Sequence, residues 1–125
     1  MTIEQEIRLL LLTSSYVLND EPTKENVLNQ IEDEKWASFS EKDLRTKDNR
    51  NELVWRNSFA FVRLRLVRDG SYSNVKRNCW AITEEGKQEM IQLCKMCLGE
   101  NEFSYISHLG KEKIKEIHTS IVLKK

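Results

Sequence analysis

Apolar residues recur in the first segment at Ile3, Ile7, Leu10 and Leu11, then again at Val17 and Leu18. Those offsets lie on one face of a helix, which the pattern predicts from Ile3 to about Ser14. Asn19-Asp20-Glu21-Pro22 breaks it. Thr23, with Asn26 three residues on, reads as the N-cap of a second helix carrying Val27, Leu28 and Ile31. The acidic run Glu32-Asp33-Glu34 sits at the wrong end of that helix for its dipole and marks its end. Residues 35–50 carry no clear period: Ser40 ahead of Glu41 and Asp43 fits a cap on a short helical turn, and Thr46–Arg50 reads as polar loop. The strongest signal follows. Trp55, Phe59, Val62 and Leu66 fall at i, i+4, i+7 and i+11, with Arg56, Asn57, Ala60 and Arg63 assigned to the opposite side. Asp69-Gly70 ends this helix.

The period then changes. Ser71-Tyr72-Ser73 and Cys79-Trp80-Ala81-Ile82 read as two short strands joined by the polar, basic Asn74–Asn78. Thr83 before Glu84, Glu85 and Gly86 is a cap with an acidic first turn, and the helix it opens buries Met90, Ile91, Cys94 and Leu98 before Gly99 stops it. After Phe103-Ser104-Tyr105-Ile106, the stripe Ile114, Ile117, Ile121 predicts a final helix, with His118 beside it. The order describes a mainly α fold with a small antiparallel β-hairpin, a winged helix-turn-helix. Residues 1–98 would form that domain, and 99–125 a C-terminal helical extension acting as core cap, dimer seam or link to a further domain. In such a fold the third main helix enters the major groove of double-stranded DNA and the hairpin lies against the backbone. The expected contacts are Arg50, Arg56, Asn57 and Arg63 on or beside the helix, and Lys76 and Arg77 at the hairpin tip.

Composition changes this picture in one respect. The chain has 125 residues, enough for one domain, and is 39% hydrophobic and 32% charged with zero formal net charge. The average hides a segregation: residues 1–44 hold 4 basic and 10 acidic side chains, whereas residues 45–77 hold 9 basic and 3 acidic. Local potential steers a polyanion, so the basic middle third supports a DNA partner. The alternative is that the acidic and basic thirds pair with each other. The longest apolar stretch, Leu9–Leu12, is too short for a spanning helix or a signal core, so no membrane partner and a cytoplasmic location are expected. Three cysteines without a disulfide spacing fit a reducing compartment.

The stretch Trp55, Phe59-Ala60, Leu66-Val67, Gly70 and Cys79-Trp80-Ala81-Ile82-Thr83-Glu84-Glu85-Gly86-Lys87 resembles the N-terminal winged-helix domain of Mrr-type restriction proteins. The resemblance covers roughly residues 3–95 and is specific over about 50–90. It implies a DNA-reading module attached to a nuclease domain or subunit, with Arg56 and Arg63 on the reading helix and Trp80, Ile82 and Thr83 in the core and wing strand. Arg65 departs from it, standing where the family commonly has a glycine. The family's catalytic domain is expected to lie outside these residues.

No catalytic, metal or cofactor site is expected within the chain. The carboxylate-x-lysine strings of metal-dependent nucleases have two matches, Asp33-Glu34-Lys35 and Glu85-Gly86-Lys87, both at helix ends instead of on the strand that such chemistry uses. Cys94 and Cys97 with Cys79, His108 and His118 invite zinc, but the cysteine pair lies mid-helix among apolar neighbours. There is no glycine-rich phosphate loop. Two rivals to the restriction-type module remain: a stand-alone transcription regulator, expected to be a homodimer, and a protein-interaction module whose basic helix pairs internally or with an acidic partner.

Overall fold

A computed structural model of the chain describes residues 1–46 and 51–124. Five helices account for its regular structure: α1 (Ile3–Leu18), α2 (Lys24–Asp33), α3 (Val54–Arg68), α4 (Glu84–Leu98) and α5 (His108–Leu123). Four begin with the caps their sequences carry. Thr2 with Gln5 and Thr23 with Asn26 form reciprocal capping boxes, and Thr83 and Ser107 accept from the backbone N–H of Gly86 and Gly110. α3 has no side-chain cap. Its first amides donate instead to the preceding turn, Val54 to the Arg45 carbonyl at 2.8 Å and Trp55 to that of Asp43 at 3.1 Å. That turn is held by Ser40, whose N–H and hydroxyl both reach an Asp43 carboxylate oxygen.

α1 is the central element, longer and more deeply buried than its pattern predicts. Leu9, Leu10, Leu11 and Leu12 are all essentially inaccessible, because α2, α3 and α4 pack around the helix and leave its middle, from Glu6 to Ser15, no solvent face. Thr13-Ser14-Ser15, polar enough to read as the helix end, are buried helical residues. Ser14 donates to the Val27 carbonyl, and Ser15 shares a 2.6 Å hydrogen bond with the Tyr72 hydroxyl, which also reaches the Leu11 carbonyl. Helix α1 therefore runs on to Leu18 and ends at Asn19, in the left-handed region at φ 60°.

The expected β-hairpin is not formed, and the winged-helix expectation is corrected accordingly. Among the described residues there is no strand; the two proposed strands meet only in an isolated antiparallel bridge, Tyr72 with Ile82. Two hydrogen bonds flank it, Ser73 N–H to Ala81 O and Thr83 N–H to Ser71 O. The ladder ends there because the returning backbone pairs elsewhere: Trp80 N–H donates to the Pro22 carbonyl at 2.7 Å. Lys76 pairs with Glu21, and the Asn78 amide oxygen accepts from Lys24 N–H. The connection is thus folded onto the α1–α2 turn, and its tip does not project as a wing.

A single hydrophobic cluster draws on all five helices. The region expected as an extension contributes to it: Ile106, Ile114 and Ile117 are buried in the chain's own core, and Ile121, the last of the stripe, is partly buried against it. Its loop is anchored by a buried charge. The Glu6 carboxylate, on α1, accepts from the backbone N–H groups of Ser104, Tyr105 and Ile106 at 2.8–3.1 Å. No helix of the described residues is long and apolar enough to cross a membrane.

Candidate functional site

Helix α3 turns Trp55, Phe59, Val62 and Leu66 into the core, as its period predicts. Two of its arginines pair on the flanks of the helix. Arg56 lies on the flank against α2, where it donates to Asn29 Oδ1 at 2.8 Å and Glu32 Oε1 at 3.0 Å and lies 4.9 Å from the Trp55 ring centroid. Arg65 pairs with Glu4 of α1 on the other flank, so α3 continues unbroken past the position where a glycine turn was expected. Phe61 and Leu64, one turn apart, face solvent between the flanks and are each 55% exposed, and Arg68, a turn after Leu64, is exposed as well.

Between this face, the start of α2 and the end of the 74–80 connection lies an open cleft of about 660 Å³. Phe61, Leu64 and Trp80 supply its apolar surface, and Lys24, Arg63 and Arg77 its positive charge. Arg63 is positioned by stacking, its guanidinium carbon 5.5 Å from the Trp80 ring centroid. Trp80 is in turn fixed by its backbone bond to Pro22. Two carboxylates also line the cleft, Glu25 and Glu52. Burial pushes Glu52 up, but hydrogen bonds from Lys24 and Asn57 and the Arg56 charge outweigh it and hold its carboxyl below the usual range. Lys24 is thereby neutralised. Among the described residues Arg63 and Arg77 make no ion pair.

The six residues expected to touch DNA are therefore dispersed. Arg50 lies outside the described residues. Arg56 is tied to Glu32 and Asn29. Asn57 is buried beside Glu52. Lys76 is exposed but paired with Glu21 at 2.8 Å, a contact that raises its pKa through the hydrogen bond and charge of that carboxylate. Asn57, Arg63 and Arg77 come together as lining residues of the cleft. The exposed Phe61 and Leu64 escaped sequence reading because a hydrophobic pattern assigns its apolar residues to the core first.

Glu85 and Lys87 lie in the first turn of α4, and Asp33 ends α2. Burial pushes the Cys94 thiol up to about 12 and that of Cys97 to about 11, the reverse of what a nucleophile or metal ligand needs. Among the described residues no group of three or more His, Cys, Asp or Glu side chains could hold a metal ion. The structure thus defines a five-helix, single-core domain with a mixed basic and apolar cleft on α3. No family model, curated protein or solved structure matches the chain.

Proposed function

We propose that the protein is a non-catalytic docking module that binds another protein through α3 and the adjoining cleft. The observation carrying this reading is that Phe61 and Leu64 are exposed on α3 beside the cleft, while Arg56 and Arg65 are paired with acids of the neighbouring helices. Exposed apolar side chains beside a concave surface are what a protein partner covers. The charge segregation along the sequence fits as well. Basic residues of the middle third pair with acids of the first third, Arg56 with Glu32, Arg65 with Glu4 and Lys76 with Glu21, so much of the basic potential is spent internally.

A second reading, duplex DNA, is favoured by Arg63 and Arg77, which are uncompensated, and by the exposure of Lys76 and Arg68, whose surface pairs phosphates could replace. Fluorescence anisotropy with a labelled duplex across a salt series separates the two. The docking reading predicts no duplex binding at about 50 mM salt, where basic-surface proteins hold on. Saturable binding that weakens steeply with salt and is lost in Arg63→Ala/Arg77→Ala would overturn it in favour of DNA.

A further inference from the structure

The cleft also constrains the chemistry of its occupant. Resting on the docking reading, we infer that it takes an acidic amphipathic helix of a partner protein, apolar side chains against Phe61 and Leu64 and carboxylates on Arg63 and Arg77. Three features point there. The volume, about 660 Å³, is far more than one side chain fills and suits a helix laid along a groove. The apolar side is contributed by Phe61 and Leu64 on one helix face, with the buried Trp80 behind it as the support on which Arg63 is held, so little ordering cost falls on this side of the contact.

The third feature is the state of the arginines. Arg63 is held on the Trp80 ring, and its Nε is buried without a hydrogen-bond partner. A guanidinium that is pre-placed and has no ion pair among the described residues is suited to a carboxylate, which it binds with a planar fork of donors. Arg77 offers a second cation from the exposed connection across the cleft. A duplex backbone fits less well. Its evenly spaced phosphates would be brought against Glu25 and Glu52 on the same rim, while Phe61 and Leu64 would meet no apolar surface. A helix can place its carboxylates at the two arginines and leave Glu25 facing a neutral or basic residue.

The test is a display selection of random peptides of about 16 residues, roughly four helical turns, on the immobilised full-length chain. The best sequence is then synthesised and its affinity measured by anisotropy. Asp and Glu flanking Leu, Ile or Phe should be enriched among the selected sequences. Arg77→Glu, on the exposed connection and outside the core, should weaken the peptide about tenfold, and an acid-to-lysine change in the peptide should restore it. Leu64→Ala should weaken binding equally at low and high salt. Peptides that bind at the cleft without acidic enrichment, and that ignore Arg77→Glu, would overturn the inference while leaving the docking reading intact. Selected peptides indifferent to Leu64→Ala, or duplex binding at this cleft, would overturn both.

Discussion

At the residue scale, two buried charges hold segments that the helices alone would not join. Glu6 is 2% exposed, and its carboxylate satisfies three consecutive backbone donors of the 104–106 loop, a link between positions about a hundred residues apart. Removing the acceptor strands those N–H groups, each at a cost of about 1–3 kcal/mol. Glu6→Ala should therefore destabilise the protein by about 3 kcal/mol or more in urea unfolding, and Glu6→Gln, which keeps one oxygen, by less. Arg8 is the second charge. It joins α1 to α4 through Glu89, its Nε and a terminal nitrogen donating to the two carboxylate oxygens, and to the end of α3 through Asp69 at 3.1 Å. Burial raises Glu89, yet the hydrogen bonds from Arg8 and Ser71 prevail and depress it; Asp69 is depressed by Arg68 and then Arg8. Folded-state values below the unfolded ones give stability that is present above the ordinary carboxylate range, near pH 4–4.5, and lost as pH falls through the depressed values. Glu89→Gln should be less stable than wild type at pH 7 and lose less on acidification below about pH 4, as pH-dependent urea midpoints would show. An unchanged acid slope would remove Glu89 from the account. Arg8→Met leaves Glu89 without its cation, while Glu4 keeps Arg65 and Asp69 keeps Arg68, and should cost about 2–3 kcal/mol, under the ~3–5 of a fully buried pair.

At the element scale, close packing dictates small residues at two helix starts. A Cβ on Gly86 would lie 2.1 Å from the Ser71 carbonyl oxygen, and one on Gly110 would lie 2.1 Å from that of Trp36. Alanine is intrinsically the better helix former by about 1 kcal/mol, but here the backbone of a neighbouring segment must move. Gly86→Ala and Gly110→Ala should each lower stability by about 1–3 kcal/mol; Gly99→Ala, whose nearest neighbour would be 3.6 Å away, should change it little. Thermal melts of the three variants suffice to check this. Elements were legible where a cap met a helical period: Thr23 with Asn26, Thr83 with Gly86, and the stripe of Trp55, Phe59, Val62 and Leu66. Trp36 is buried in the core, and Phe39, partly buried against it, stacks on Trp55 with ring centroids 4.3 Å apart. The hairpin was not legible. Tyr72 and Ile82 carry a strand signal and do pair, but the partner that ends the ladder, the Pro22 carbonyl, is remote in sequence. The length of α1 was hidden for a similar reason, since buried serines look like a helix end until their acceptors on α2 and Tyr72 are known.

At the scale of the whole molecule, five helices share one core, and the charge asymmetry of the sequence becomes a set of ion pairs between its first and middle thirds. A helix period places arginines on a polar side but cannot say whether that side meets solvent or a neighbouring acid, which is why the basic third read as a DNA surface. The face proposed for a partner is the cleft beside Leu64, where Arg63 and Arg77 have no ion pair among the described residues. Substitutions there alter surface, not core, so Leu64→Ala should leave stability within about 0.5 kcal/mol of wild type. The most direct measurement is backbone amide shift mapping of the isotopically labelled chain during titration with a display-selected peptide. Shifts confined to the start of α2, the Asn57–Leu64 part of α3 and residues 77–80 are predicted, and they should vanish in Leu64→Asp. Shifts centred on another surface, such as the exposed side of α5, would contradict the assignment of this cleft as the binding face.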